Sequence, residues 1–432
     1  MRLLIVSPDY ASHAGPLIEI GRAWTRDHGE AVVATGPAVR EMVTDAGLDW
    51  IGLQLGRGSN PGVIEERSQP VGEDAHLRAF FDATRVGAVA TLRYQADARQ
   101  HDLMHDPDGV FDRLRDVVER VQPDRIAVDH VAFGARLALR AMGLNCASVV
   151  LGHPSALPST GEVFGLPDEW PAGMRPSDED LADLRVRCGA AVRELTVVAD
   201  EFLHRRAREF SPIDDLTRSP GQPTIYAYPE ILHSPSRMVP ENSVFVGSLA
   251  KAQSLGSFAL PVGDGLRVTV ALGSFLSARG DVLQTAVRAA DAAGWRLTIA
   301  HGSTPLESLG ELPTGAVAAR HLPQVALLQQ TDVFVNHGGN GSVTEAVAAG
   351  VPMVVLPFST DQFAGAAAIE RAGIGAVLDP NDFTPDSLRS AVTSLLASGA
   401  SERMTNVAEA SARDGGPRRA AQVIAELSRP LR

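Results

Sequence analysis

The chain has few cysteines and no long uninterrupted apolar run. Only two cysteines, Cys146 and Cys188, occur among its 432 residues, which excludes a disulfide framework and a cysteine-based zinc cluster. No run of roughly 18 apolar residues is free of charges or helix breakers, so no membrane span is expected. The apolar segment at residues 1–6 is too short for a signal peptide. These absences predict a cytoplasmic protein in a reducing compartment.

The sequence also lacks a run of lysine or arginine. The formal net charge is −13, with 39 Lys and Arg against 52 Asp and Glu. A protein that follows a phosphate backbone needs a basic surface. Nucleic acid is therefore not expected as the main partner.

What the chain does have is length and a repeated pattern of strand and helix. Its length exceeds the size at which a single core keeps growing, which favours two domains. Short apolar runs alternate with helical periodicity, first from Leu3 to Ser7 and again from Arg267 to Leu272. This alternation predicts parallel sheets covered by helices, an α/β fold with two Rossmann-like, doubly wound domains.

The domain boundaries follow from changes in this pattern. We expect a first domain at residues 1–215, which includes helical insertion material near 65–122. A segment rich in Pro, Gly and Ser at 216–264 reads as a linker. The second domain is predicted at 265–415, and a helical tail at 416–432 is expected to pack back on the first domain.

The second half contains a buried strand followed by a glycine-rich turn. The segment from His337 through Gly338, Gly339, Asn340 and Gly341 to Ser342 joins that strand to the start of a helix. Free backbone N–H groups at a helix N-terminus bind anions, and glycines let a diphosphate come close. His337 and Ser342 can add donors, and Glu345, one turn into the helix, can accept ribose hydroxyls. A polar cap on a tight turn is the alternative for the glycines alone.

A second polar pair follows the next strand. Pro352 and Pro357 bracket that strand, and Asp361 and Gln362 begin the helix after it. Ligands of doubly wound sheets bind beyond the carboxyl ends of the strands. The sequence therefore predicts phosphate contacts at His337–Ser342 beside a carboxylate and a carboxamide suited to sugar hydroxyls.

The first half offers a base and a supporting acid. His13 follows the first strand, in what reads as a loop from Pro8 to Pro16, and Asp129 follows the strand Arg125–Val128. Both lie at strand carboxyl ends. A histidine whose ring is held by a carboxylate is a general base with a fixed tautomer.

The chain resembles the family 1 glycosyltransferases. The polar residues and prolines of its second half stand at the intervals of that family's donor signature. The signature is matched by His321, Leu322, Pro323 and Gln324, by His337 through Glu345, by Pro352 and Pro357, and by Asp361 and Gln362. By the same likeness Ser274 is the second phosphate-contacting serine. His13 to Pro16 and Asp129 match the family's base and acid. Two departures are His321, where plant members carry a base-stacking Trp, and Gly365, where many bacterial members carry Asn.

The resemblance implies the GT-B fold, with an acceptor domain facing a nucleotide-sugar domain across a cleft. It implies an inverting displacement in which His13, supported by Asp129, takes the acceptor proton. The implied donor is a dTDP- or UDP-sugar and the acceptor a small hydrophobic natural product. No cofactor and no metal are expected, since backbone and side-chain donors hold the diphosphate. A homodimer is left open.

Two other function classes stay open. One is a nicotinamide-dependent oxidoreductase that uses Gly339 and Gly341 for the pyrophosphate and Asp361 for the ribose. It lacks the third glycine of the dinucleotide-binding fingerprint. The other is a catalytically silent glycosyltransferase-like partner or activator protein, against which the presence of His13 and Asp129 argues.

Overall fold

The computed structural model describes residues 1–63, 73–207, 209, 211–218 and 222–427. Two parallel sheets make up its framework, the first in the order β3-β2-β1-β4-β5-β6-β7 and the second in the order β10-β9-β8-β11-β12-β13. The strands of the first sheet are β1 (Arg2–Val6), β2 (Glu30–Thr35), β3 (Asp49–Gly52), β4 (Arg125–Asp129), β5 (Ala147–Val150), β6 (Thr224–Tyr226) and β7 (Ser243–Phe245). Those of the second are β8 (Arg267–Ala271), β9 (Arg296–Ala300), β10 (Val317–Ala319), β11 (Val333–Asn336), β12 (Met353–Val355) and β13 (Gly375–Val377).

Helices cover both sheets. In chain order they are α1 (Ala11–Asp27), α2 (Arg40–Asp45), α3 (Glu73–Val86), α4 (Ala88–Leu103), α5 (Pro107–Val121), α6 (Phe133–Ala141), α7 (Asp178–Arg206), α8 (Gly273–Leu276), α9 (Gly280–Ala293), α10 (Gln324–Leu328), α11 (Asn340–Ala349), α12 (Gln362–Arg371), α13 (Pro385–Ala397), α14 (Ala400–Ala412) and α15 (Gly416–Glu426). None of those in the described ranges combines the length and the apolarity that crossing a bilayer requires.

The central strands are apolar on both faces because helices pack on each side of the sheet. In β1 the four residues Leu3 to Val6 are fully buried. This strand pairs in parallel with β2 on one side and with β4 on the other, through Leu3 opposite Ala31 and Leu3 opposite Arg125. The carboxyl ends of β1 and β4 therefore meet at the same sheet edge.

The segment predicted as a linker, 216–264, is in part structured, and that prediction is wrong for β6 and β7. Thr224–Tyr226 pairs in parallel with β5, and Ser243–Phe245 pairs with Thr224–Tyr226. Each strand has three residues, which is too few for a periodic signal. The surrounding Pro, Gly and Ser give the segment the composition of a linker. The chain between the two sheets is accordingly shorter than the composition indicates.

Helix α3 belongs to the first half of the sequence but packs on the second sheet. Phe80 and Phe81 are buried with their rings against Phe275, at centroid distances of 5.1 and 5.6 Å. Below them the fully buried Arg279 donates to the Thr84 carbonyl at 3.2 Å. One helix of the predicted insertion thus completes the core of the other domain.

The C-terminal helix α15 crosses in the opposite direction and packs against α1. Its buried residues Ala420, Ala421, Val423 and Ile424 share a core with Leu17 and other side chains of the first sheet. Arg125, at the start of β4, donates to the carbonyl of Ala425 at 3.3 and 3.2 Å. Residues 428–432 of the predicted tail lie outside the described residues.

The packing of α15 generates a stability prediction. Ile424 is fully buried, so Ile424→Ala should lower the free energy of unfolding by about 2–5 kcal/mol through lost burial and a residual cavity. Denaturant unfolding measures this difference.

Gln422, exposed on the same helix, provides the control. Gln422→Ala should change the free energy of unfolding by no more than about 0.5 kcal/mol. Equal midpoints and slopes for the two variants would show that α15 is detached from the first domain in solution.

Candidate functional site

The first half of the site is a histidine held by a buried carboxylate. His13 Nδ1 lies 2.7 Å from Asp129 Oδ2, although 116 residues separate them in the chain. The Asp129 side chain is fully buried, whereas 25% of the His13 side chain remains exposed. Asp129 Oδ1 accepts the backbone N–H of Val131 at 3.0 Å. The carboxylate is therefore fixed from both sides, and the imidazole is still accessible from the cleft.

The prediction that His13 lies in a loop is wrong. Helix α1 begins at Ala11, which places His13 in its first turn. The misleading signal is Pro16, which lies inside the helix. A proline this close to the N-terminus removes a single backbone hydrogen bond, and the buried face around Leu17 and Trp24 holds the helix together across it.

Burial and charge act in opposite directions on the pKa of His13. Burial alone would lower it, but the charge of Asp129 and the hydrogen bond to that carboxylate outweigh burial, with a further contribution from the charge of Asp361, so the pKa is raised above 6.5. The pKa of Asp129 is held well below its usual value: burial raises it, and interaction with His13 and His130 outweighs that. An ionised carboxylate can only accept. The Nδ1 of His13 therefore carries the proton, and Nε2 is the basic atom.

A second histidine next to this pair is not found by sequence reasoning. His130 Nδ1 lies 3.3 Å from Asp129 Oδ1 and accepts the backbone N–H of Leu151 at 3.3 Å. Its ring stacks at 6.4 Å from that of His13. The only available signal is the position directly after Asp129, since the contacts depend on the packing of β4 against β5.

The second half of the site centres on His337, at the carboxyl end of β11. Two glycines leave room for its ring: a side chain at Gly273 would begin 2.6 Å from Cε1, and one at Gly339 would begin 2.2 Å from Nε2. Gly338 adopts a positive φ of 78°, and a side chain there would meet Val355. The glycines predicted to admit a phosphate therefore also make space for the imidazole.

His337 is a neutral hydrogen-bond donor and not a cation. Burial lowers its pKa to about 4. Its Nδ1 is buried and has no hydrogen-bond partner among the described residues. A buried polar atom without a partner is unusual in a folded protein, and it marks this ring as one that a ligand can engage.

Three of the predicted donor-binding residues contact one another. Gln324 donates from Nε2 to Glu345 Oε2 at 2.6 Å and to Ser342 Oγ at 3.3 Å. Burial raises the pKa of Glu345 to about 7, partly offset by the hydrogen bond from Gln324. A half-buried carboxyl group on α11, one turn from the anion site, is suited to accept hydroxyl groups.

The other predicted donor contacts surround this cluster. His321 is exposed and Leu322 half-buried in the loop before α10. Gly62 of the first domain faces His321, since a side chain there would begin 3.4 Å from its Cε1. Ser274 lies in α8, and Asn60 of the first domain donates to its Oγ at 3.4 Å. The first domain therefore reaches the rim of the predicted donor site at two points.

Asp361 and Gln362 are less free than the sequence indicates. Asp361 Oδ2 accepts the backbone N–H of His153 at 2.6 Å, and its Oδ1 accepts from Thr360 at 3.0 Å. Gln362 Oε1 accepts the N–H groups of Phe358 and Ser359. The carboxylate of Asp361 and the carboxamide oxygen of Gln362 thus already have hydrogen-bond partners in the protein. Sugar hydroxyls would have to share these acceptors with the present donors or displace those donors.

Asn340 departs further from its predicted role as a donor-binding residue. Its side chain points to the first domain and donates to the carbonyls of Leu151 at 3.0 Å and Ala227 at 2.8 Å. Its backbone opens α11 directly after Gly339. Only that backbone faces the anion site as predicted.

The arrangement combines a base on one sheet edge with an anion site on the other. In the described ranges there is no group of three or more His, Cys, Asp or Glu side chains that could hold a metal ion. Chemically, the site can accept a proton at His13 and stabilise an anionic leaving group at the start of α11.

Comparison with known proteins confirms the predicted resemblance to family 1 glycosyltransferases. Residues 291–427 match the C-terminal domain of the erythromycin biosynthesis protein CIII-like family. The chain is 35% identical over 177 residues to the oleandomycin glycosyltransferase of Streptomyces antibioticus and 30% identical over 187 residues to an NDP-glycosyltransferase of Bacillus subtilis. These alignments span 40% and 42% of the chain and 41% and 47% of those two relatives.

Longer matches extend over nearly the whole chain. The 10-deoxymethynolide desosaminyltransferase of Streptomyces venezuelae is 26% identical, with 92% of this chain and 89% of that protein covered. The crystal structure of the kitacinnamycin glycosyltransferase is similar with a TM-score of 0.71, 25% identity and coverage of 98% and 97%. A spinosyn rhamnosyltransferase crystallised with thymidine diphosphate has a TM-score of 0.65 at 17% identity, with coverage of 99% and 100%. The predicted GT-B fold is confirmed.

The opposing influences on His13 lead to a prediction for its titration. Asp129→Asn removes the charge that raises the pKa of His13 and leaves the burial that lowers it. The imidazole of His13 should therefore titrate at a lower pH in the variant than in the wild type, where its pKa is raised. Two-dimensional NMR of the ring nitrogens, assigned with His13→Gln, measures both values. Unchanged titration in Asp129→Asn would mean that the ion pair does not form.

Proposed function

We propose that the chain is an inverting, metal-independent glycosyltransferase that moves a sugar from a nucleoside-diphosphate donor to a small acceptor. The observation that carries this proposal is the pairing of His13 with Asp129 on one sheet edge, opposite the glycine-flanked His337 on the other. Neither half is specific alone. Together they supply a proton acceptor on one side of a cleft and an anion site on the other, which is what a single displacement at an anomeric carbon needs.

The base acts through its Nε2. The acceptor hydroxyl gives its proton to this atom as its oxygen forms a bond to the anomeric carbon and the bond from that carbon to the diphosphate breaks. The imidazolium that results is stabilised by Asp129, whose carboxylate stays ionised. Because the attack and the departure are on opposite faces of the sugar, the configuration inverts.

The leaving diphosphate is stabilised by neutral donors. These are His337, the backbone N–H groups at the start of α11, and the hydroxyls of Ser342 and Ser274. The neutral state of His337 follows from its low pKa. A helix N-terminus supplies partial positive charge, so a divalent cation is not required in this scheme.

Donor and acceptor classes are proposed from the relatives. A dTDP- or UDP-sugar fits a family in which one neighbour was crystallised with thymidine diphosphate. A small natural-product acceptor is proposed from the relatives, which include an oleandomycin glycosyltransferase and a 10-deoxymethynolide desosaminyltransferase.

The first prediction here concerns the base. His13→Ala should lower kcat by about 10²–10⁴-fold, because the acceptor proton loses its acceptor, and should leave donor affinity nearly unchanged, since His13 lies in the other domain. Asp129→Asn should lower kcat by a smaller factor than His13→Ala. In the wild type kcat/KM should rise with pH through an ionisation above pH 6.5, because the base acts only when unprotonated and its pKa is raised.

The kinetics are measured with a panel of nucleotide sugars and hydroxylated aromatic acceptors. Full activity of His13→Ala would refute the assignment of the base. A wild type that binds nucleotide and turns over no donor would favour the silent partner or activator class.

The second prediction concerns the anion site. His337→Ala should weaken binding of thymidine or uridine diphosphate by about 10- to 100-fold, the range for a lost hydrogen bond to a charged group. Calorimetric titration in the presence of EDTA measures this and tests metal independence in the same experiment.

His204, exposed on α7, gives the matched control His204→Ala, which should bind like the wild type. Equal affinity of His337→Ala and wild type would remove His337 from the site. Wild-type binding that requires added Mg²⁺ or Mn²⁺ would contradict the metal-free scheme.

A further inference from the structure

The side chain of Asn340 connects the anion site directly to the first domain. Both protons of its carboxamide are used, one on the carbonyl of Leu151 at 3.0 Å and the other on the carbonyl of Ala227 at 2.8 Å. Leu151 and Ala227 directly follow the neighbouring strands β5 and β6. The carboxamide therefore spans two adjacent strand ends of the first sheet from the first residue of α11.

A carboxamide is unusually well suited to this position. Carbonyls at the ends of adjacent parallel strands lie about 5 Å apart, and one NH₂ group between them can donate to both. A hydroxyl has one proton and reaches one carbonyl, and an ammonium or guanidinium would add a charge at the start of α11. The Oδ1 of Asn340 is buried without a partner among the described residues, so the two donors alone determine the orientation of the group.

A second contact across the cleft lies at the same edge. The carboxylate of Asp361 accepts the backbone N–H of His153 at 2.6 Å, two residues after Leu151. A side chain at Gly152 would begin 2.6 Å from that carboxylate. The loop after β5 is thus in contact with the start of α11 and with the start of α12.

We propose that Asn340 is a positioning residue that latches the two domains in the closed, reactive arrangement. It ties the helix whose N-terminus is proposed to bind the diphosphate to the ends of β5 and β6, and β5 is the neighbour of β4, which carries Asp129. Loss of the latch should let the cleft open at this edge and separate the base from the donor. The closure itself is independent of the reaction, whereas its effect on turnover rests on the proposed function.

The backbone N–H of His153 offers a readout of closure that does not depend on activity. Its acceptor belongs to the other domain, so its hydrogen exchange should accelerate when the domains part. Asn340→Ala removes the latch, and Asn340→Leu removes it while nearly preserving side-chain volume. Neither adds a charge near the anion site.

In both variants we expect exchange in the peptide that contains His153 to accelerate by about 10-fold or more, the scale of two lost hydrogen bonds. With a donor and acceptor that the wild type uses, kcat should fall by a similar factor, while the Kd of thymidine or uridine diphosphate stays within about threefold. Asn406→Ala, an exposed position on α14, is the matched control and should match the wild type in all three measurements.

The outcomes separate the two proposals. Wild-type exchange at His153 in both variants would overturn the latch, and accelerated exchange with unchanged kcat would overturn its role in transfer. A global acceleration of exchange in Asn340→Ala would indicate partial unfolding, and exchange at His153 in Asn340→Leu would then decide whether the latch exists. A wild type without turnover would count against the proposed function, and the exchange measurement would still decide the latch.

Discussion

The site depends on the parallel pairing of the strands in both sheets. A parallel sheet collects all its carboxyl ends at one edge. Pairing of β1 with β4 therefore brings His13 and Asp129 within 2.7 Å, although they are 116 positions apart in the chain. Pairing of β8 with β11 brings Gly273 against His337 in the same way. The His13–Asp129 pair and the contact of Gly273 with His337 both follow from which strands are neighbours.

Two histidines at these edges have opposite properties because one has a charged partner and the other has none. Both rings are partly buried, which disfavours the imidazolium. The ion pair with Asp129 reverses the effect at His13, whereas nothing opposes it at His337, where the pKa falls to about 4. The same residue type is thus suited to accept a proton in the first domain and to donate a hydrogen bond as a neutral ring in the second.

Sequence reasoning succeeds where local pattern determines the outcome. Apolar runs predict the longer strands, and polar residues directly after them predict which side chains lie at the sheet edges. The same reasoning misses β6 and β7, since three residues carry no periodicity. It places His13 in a loop because Pro16 reads as a helix breaker, although a buried apolar face can hold a helix together across one proline.

Contacts between the domains cannot be read from the sequence at all. The carboxamide of Asn340 finds its acceptors 189 and 113 residues away, and which groups it meets depends on how the two sheets are oriented. The same holds for His130, which is recognisable as part of the site only once β5 is in place. Resemblance to a family carries over the motif positions, but it gives no sign that the side chain of Asn340 donates to the first domain.

The placement of α3 bears on how proteins of this fold can be recombined. A chimera joined in the segment between the sheets would combine residues 1–264 with a foreign second domain. Phe80 and Phe81 would then lose Phe275, and a foreign domain would need its own counterpart to the Arg279 bond to Thr84. The hydrophobic core that α3 completes is therefore formed by residues from both sides of the linear domain boundary. A domain exchange that keeps this core whole must transfer α3 together with residues 265–415.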